Sequence, residues 1–507
     1  MFLAHAFGQR YDLPIPLLLY VLGGATVVVA SFALVLPRAV GRDPEPLAGD
    51  GPDGPGLSPG LSAGEGSTAS PPLRFAVPGV VSVLLLAALV ACGLLGSQET
   101  AENILPTLFW LVVWIAVPLS CGLLGDWTRP VNPFAFLARA ADRPGARALL
   151  LGGERPLKWP RKLGWWPAVA LYFGAACGEL VFNVTATVPA HIAWALICYA
   201  VVSAAGGLLY GRAWLDRGEL FTVLFDTWGR LGWFRFGAEG RRGFARGLDR
   251  SFSRSPSRVV FVLLLLISVN FDGLLATPKW NRLELRMPGQ LAAHTQRLEL
   301  FRTATFVGLA LAITALFGAF AVASSRAGRH RTSSGGALAG LLPSLLPIAF
   351  GYLLAHNLQY LVVNAQLLFP LIGNPTGLES WPLHLGYPFN DDFEPHLRLL
   401  PTAFYWYVSV ATIIVVHVVA VVLAHRHLGR RGESVRAARS SEYPWLVAMV
   451  AYTMLSLWLI AQPLVREEQH SRPESSPAAA DRVPAGADRA APAGTGGRPP
   501  AAGTVGR

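Results

Sequence analysis

The chain has 507 residues, of which 52% are hydrophobic and 14% charged; its mean hydropathy is +0.43 and its formal net charge +11. Its apolar runs approach or exceed the ~18–20 residues that cross a bilayer core ~30 Å thick, which excludes a set of soluble domains. The excess of Lys and Arg lies between those runs, so it reports topology and attraction to anionic lipid headgroups and excludes a nucleic-acid-binding face.

In chain order, the apolar runs predict spans at 14–36, 75–96, 104–124, 165–183, 188–210, 258–276, 303–323, 341–370, 402–424 and 444–464. The fold class is therefore an all-α polytopic membrane bundle of about ten helices. An N-terminal segment with the first span occupies 1–38, and the remaining nine spans lie within 73–465. The eighth run would reach ~45 Å as a straight helix, so it must tilt, kink or leave the membrane. Between the first two spans, 39–72 is a Gly/Pro/Ser linker, and 466–507 is an Ala/Pro/Gly tail. Both have the composition of disordered segments, because they lack the apolar surface that offsets ordering entropy. Two G-x-S-x-G matches, Gly56–Gly60 and Gly60–Gly64, fall in the linker without a strand or helix beside them and carry no hydrolase meaning. Cys92, Cys121, Cys177 and Cys198 all lie in spans and form no C-x-x-C pair, so buried free thiols are expected.

Placing the N-terminus outside puts 29 of the 42 Lys and Arg, Arg258 included, in the inner loops and 7 in the outer segments. This is the positive-inside asymmetry of a plasma-membrane protein. The exception is 277–302, an outer segment with Lys279, Arg282, Arg286, Arg297 and Arg302. Two inner segments echo each other: "GLLGDWTRPVNPFAFLARA" after the third span and "GLLYGRAWLDRGELFTVLFDTWGRL" after the fifth. Asn132 before Pro133 reads as an N-cap, and Asp216 with Glu219 as a capping-box start. Phe221, Leu224, Phe225, Trp228 and Leu231 share one face, so both segments are expected to be short helices lying in the interface. Arg246, Arg250, Arg254 and Arg258, four apart, would form one basic helical stripe facing anionic headgroups.

The stretch "GYLLAHNLQYLVVNAQLLFP" carries seven polar side chains inside the eighth span. On a helical wheel Tyr352, His356, Gln359, Tyr360, Asn364 and Gln366 fall in one half, within ~80° of His356, and Asn357 lies near its edge. Leu354, Leu358, Leu361 and Val362 fill the other half. The polar half should face the bundle interior. His417 in the ninth span comes to a similar depth, so the two histidines are expected to meet. Glu179, His191, Asn270 and Asp272 are the other intramembrane polar groups, near the outer ends of their spans. Such a set reads as satisfied structural polar groups, as a functional polar cavity, or as a divalent-metal or bis-histidine haem site. A second constellation is external: Asp392, Glu394 and His396 alternate in the loop 371–401 and offer a donor set for a divalent metal. P-loop, H-E-x-x-H and C-x-x-C-H motifs are absent from the sequence.

Six segments, "HAFGQRYDLPIP", "GDWTRPVNPF", "FDGLLATPKW", "AHNLQYLVVNAQ", "VHVVAVVLAH" and "YTMLSLWLIAQP", run from the first span to the last. With them the chain resembles a family of multi-pass bacterial membrane proteins, common in actinobacteria and often labelled fenitrothion hydrolase. The resemblance implies a cleavable signal sequence ahead of the first segment. It also implies hydrolysis of an organophosphate triester, which would need an activated water and an oxyanion stabiliser. The residues themselves favour a permease-like or accessory membrane role. The alternatives are the implied hydrolase or a haem- or metal-binding redox protein.

Overall fold

The computed structural model describes residues 17–35, 73–236, 242–286, 295–329, 334–430 and 435–461. The expected linker and tail lie outside them. Among the described residues the architecture is all helical, with no strand. Seven helices are long and apolar enough to cross a membrane: Ala76–Leu95, Ile104–Leu124, Pro189–Tyr210, Pro256–Leu275, Gln296–Ala327, Gly335–Gly373 and Thr402–Gly429. The protein is an integral membrane helix bundle. The other three expected spans coincide with helices Leu17–Val35, Trp166–Leu180 and Val435–Ala461, of which Trp166–Leu180 has only 15 residues.

In chain order the helices are α1 (Leu17–Val35), α2 (Leu73–Leu95), α3 (Ile104–Leu124), α4 (Pro133–Ala141), α5 (Pro144–Leu151), α6 (Trp166–Leu180), α7 (Pro189–Tyr210), α8 (Arg212–Arg217), α9 (Leu220–Gly229), α10 (Pro256–Leu275), α11 (Pro278–Leu285), α12 (Thr295–Ala327), α13 (Ser334–Asn364), α14 (Leu368–Gly373), α15 (Thr402–Gly429) and α16 (Val435–Ala461). α10 is apolar on every face over most of its length, the pattern of a helix surrounded by protein. It packs against α6, α12 and α13. α13 is the long eighth span, and it carries Pro343 and Pro347 in its interior. Such breaks in the backbone ladder are tolerated where neighbouring helices cover them. Ser344, between the two prolines, accepts a hydrogen bond from Trp445 Nε1 at 3.1 Å. α13 and α15 lie against each other along much of their length. Gly351 permits this, because a Cβ there would stand 2.3 Å from Val416 Cγ2. The most apolar windows of α10 and α13 are 78% and 89% buried, against 11% for α2 and 22% for α12, so α2 and α12 are the lipid-facing periphery.

The loops sort to two ends. At one, Ser97 N bonds Thr376 O (2.8 Å), Ile104 N bonds Pro375 O (3.1 Å) and Thr100 Oγ1 bonds Thr187 O (3.2 Å). At the other, the basic end, Arg129 pairs with Asp126 (2.8 Å) and Asp226 (2.9 Å), Arg426 pairs with Asp249 (3.2 Å), and His427 Nε2 meets Leu248 O (2.8 Å). Burial pushes the Asp126 carboxyl up, and Arg129 opposes that shift.

Four expectations are corrected here. α4 and α9 do not lie flat in an interface. Leu220, Phe221, Val223, Leu224, Phe225 and Trp228 of α9 are all buried, and α9 packs on α3 and α6. α4 packs on α7 and α2, and a Cβ at Gly207 would stand 2.1 Å from Ala138 O. A helix start is buried only when its orphan N–H groups find partners. Asn132 accepts from Phe134 N and Ala135 N, and Glu219 accepts from Phe221 N and Thr222 N. Asn132 Nδ2 also donates to Glu219 at 3.0 Å, and Phe134 stacks on Phe221, so the two half-helices start side by side. Each follows one span and packs on the span that precedes the other, which is the structural content of the sequence echo. Second, the N-cap of α9 is Glu219 itself, while Asp216 belongs to α8. Third, the arginine stripe is broken. Arg246 is in a 3-10 turn (Arg246–Leu248), the segment up to Ser255 is not helical, and Arg258 is buried in α10. Fourth, all four cysteines are free, but only Cys121 and Cys177 are buried; Cys198 is exposed.

The basic segment expected outside, 277–302, is accounted for in part by its described residues. Arg302 forms a two-bond pair with Glu284 (2.7 and 2.8 Å), Trp280 Nε1 donates to the same carboxylate (2.6 Å), and Lys279 stands over the ring of Trp458. These charges are taken up locally and weigh less in the topology than their number suggests.

Candidate functional site: an interior acidic cavity

Five helices of the bundle line a cavity with about 40 Å³ in which the centre of a water molecule fits. At ~10–15 Å³ per water, that is room for about three. Its polar wall is Glu179 and Tyr172 from α6, Asp272 and Ser268 from α10, and Asn357 from α13. Trp114 of α3 and Trp228 of α9 complete it.

Each position follows from its helix. Within α3, Leu108–Ala116 is a π-helix, a widened stretch that recurs at functional sites. There Trp114 stacks on Tyr172 at 5.5 Å and donates its indole N–H to Glu179 Oε2 at 2.6 Å. Glu179 is the penultimate residue of α6, and Asp272 sits in the last turn of α10. Both carboxylates thus stand where the helix dipole is negative, the end that disfavours them. Helix stability does not explain their presence. Asp272 is compensated by His356, whose Nε2 lies 2.8 Å from Asp272 Oδ2. The ring of His356 stacks on Tyr352, and Tyr352 reaches α10 because position 273 is glycine; a Cβ there would stand 2.3 Å from Tyr352 Oη. Tyr172 and Ser268 share a hydrogen bond of 2.8 Å, and Asn357 Nδ2 donates to Leu353 O at 3.0 Å.

The polar half of α13 faces inward as expected. Tyr352, His356, Gln359 and Gln366 are buried, whereas Leu354, Leu358, Leu361 and Val362 are only partly so. Of the expected cavity residues, the structure brings Glu179, Asp272 and His356 together. Tyr360 is half-buried and stands within electrostatic reach of both carboxylates. Asn364, at the end of α13, bonds back to Tyr360 O at 2.9 Å. Asn270 is buried but turns to Tyr452 and Leu266 O. His191 is exposed and bonded to Thr185 O, outside the cavity. His417 and His356 share no hydrogen bond. His417 Nδ1 meets Ile413 O of its own helix at 2.7 Å, and its buried Nε2 has no partner among the described residues. His356 commits its Nε2 to Asp272, which leaves the paired-histidine haem arrangement without support.

The external donor set does not come together. Asp392, Glu394 and His396 are exposed, Asp392 accepts from Asn390 Nδ2, and the His396 backbone exchanges hydrogen bonds with the Gln366 side chain. Among the described residues no group of three or more His, Cys, Asp or Glu side chains is placed to hold a metal ion. Sequence reasoning missed Trp114, Tyr172, Ser268 and Trp228. For Tyr172 and Ser268 the available signal was their placement in the spans that carry Glu179 and Asp272.

No family model, curated protein or solved structure matches the chain.

Proposed function

We propose that the protein is a permease-like component of the plasma membrane, N-terminus outside, whose interior cavity holds a small polar solute or proton between the two ends of the bundle. The observation that carries this reading is the convergence of Glu179 and Asp272, from two helices, on one cavity within the bundle, with His356 of a third helix paired to Asp272 behind it. Ionisable groups at membrane depth mark solute and proton pathways more often than they stabilise a fold. The orientation rests on the excess of basic residues at the end formed by 125–164 and 211–257.

The hydrolase implied by the family resemblance is the weaker reading. A histidine acting as general base must reach the reacting water. Here Asp272, and not His356, lines the cavity.

Purified protein in proteoliposomes loaded with a pH-sensitive dye tests the proposal. A gradient of protons or of a small permeant solute should dissipate faster than in empty liposomes, and Glu179→Gln should remove most of the difference. Equal rates for wild type, Glu179→Gln and empty liposomes would return the protein to an accessory role. Labelling of single cysteines in 373–401 from the outside, in a cysteine-free background, tests the orientation; labelling only from the cytoplasm would reverse it.

A further inference from the structure

We infer that the cavity selects a small ammonium-type cation, ammonium or methylammonium, over alkali metals and over a proton alone. This rests on the permease reading above and names the solute class for the same site.

The first ground is charge. Two carboxylates line the cavity and no Lys or Arg does. Both occupy the last turn of their helices, so two helix C-termini add negative potential at the same place. Such ends are used to bind cations inside membranes.

The second ground is the hydrogen-bonding inventory. Most donors in the wall are engaged: Trp114 N–H on Glu179, one Asn357 N–H on Leu353 O, and the Tyr172 and Ser268 hydroxyls in a shared hydrogen bond. Against the second Asn357 N–H and the Trp228 indole N–H stands a larger acceptor capacity, since a carboxylate offers about four lone-pair sites and Asn357 keeps its carbonyl oxygen. A ligand that brings several N–H donors and a positive charge satisfies this wall better than one that brings acceptors.

The third ground is the aromatic wall. Trp114, Tyr172 and Trp228 line the same space. Indole and phenol rings attract weakly hydrated ammonium cations through their electron-rich faces. An alkali ion exchanges its hydration shell for a full set of oxygen ligands, which a wall this rich in ring carbon does not provide. A space that admits about three water centres accepts one or two heavy atoms with a companion water and rejects a bulky amine.

Full-length protein in detergent, titrated with methylammonium chloride, NaCl or KCl at constant ionic strength, tests this by calorimetry and tryptophan fluorescence. Solid-supported-membrane currents on the same proteoliposomes provide the second readout. Saturable methylammonium binding should weaken at least tenfold in Glu179→Gln and in Trp228→Leu, and persist in Trp228→Phe, which keeps a ring. Should Trp228→Leu fail to fold, Glu179→Gln against Trp228→Phe carries the comparison. Equal affinity for Na⁺ or K⁺, or binding unchanged in the folded Trp228→Leu variant, would overturn the ammonium assignment. Loss of all cation binding with proton flux intact would overturn it too and leave the permease reading standing. Absence of both binding and flux would remove both.

Discussion

Glu219 at the basic end and Glu179 in the cavity are both glutamates deep in the same bundle, held in opposite ways. Glu219 has no exposed surface and accepts from Tyr199, Asn132, Thr222 and two backbone N–H groups at the N-terminus of α9. There the helix dipole favours its charge. Glu179 stands at the unfavourable end of α6 with a single described hydrogen bond, from Trp114. A carboxylate saturated with donors is part of the fold. One left with acceptor capacity at a helix C-terminus is available to a ligand. Asp272 sits between the two cases, ionically compensated by His356 yet lining the cavity. Arginines at the basic end follow the structural pattern. Arg242 donates to the carbonyls of Gly229 and Gly232, while Arg258 donates to Thr227 and lies over the rings of Phe252, Phe261 and Trp165.

The contrast is broken most severely at Glu219. Glu219→Ala strands Tyr199, Asn132 and the start of α9, and should destabilise the protein by about 3–5 kcal/mol in thermal or denaturant unfolding. Glu179→Gln should change stability by no more than about 1 kcal/mol in either direction while removing flux. Comparable losses for the two would erase the distinction between structural and ligand-facing carboxylates.

His356→Leu comes next. It leaves Asp272 without its compensating partner, at about 2–4 kcal/mol, and the double change with Asp272→Asn should cost less than the two single changes summed. Additivity would show that the pair is not coupled. Gly273→Ala should cost about 1–3 kcal/mol by pressing on Tyr352, with His356 displaced as a consequence. A neutral effect would mean that the approach of α13 to α10 is not tight.

The smallest effect is at Asp216 of α8, outside the spans, whose carboxyl burial pushes up to about 6 against the pull of Arg212 and Arg217. A folded-state value above the unfolded one gives stability that is present at low pH and lost as pH rises through about 6. Discounted for its partial exposure, that amounts to about 1 kcal/mol between pH 4 and 7. Asp216→Asn should flatten this part of the stability profile; an unchanged slope would assign it to another group.

The long helices were legible in the sequence because twenty apolar residues in a row have few other uses. The inward polar face of α13 was legible because 3.6-residue periodicity assigns each side chain to a face. The partner of His356 was not, since depth counting compares sequential helices, and α10 is not adjacent to α13 in the chain. The buried positions of α4 and α9 were hidden for a related reason. An aromatic stripe beside a capped start looks the same whether a helix rests on lipid or enters the bundle, and only the Asn132–Glu219 bond distinguishes them. The role of Trp114 depends on the π-helix, which leaves no period in the sequence.

Carbodiimide labelling with mass-spectrometric site mapping tests the central claim most directly, because the reagent enters membrane cavities and modifies carboxyl groups it finds protonated. Glu179 should be modified, methylammonium should slow its modification, and Glu219, enclosed by its donors, should remain unmodified under the same conditions. Modification of Glu219 at the same rate, or no modification of Glu179 at any pH from 5 to 8, would contradict the account of the cavity as a ligand site.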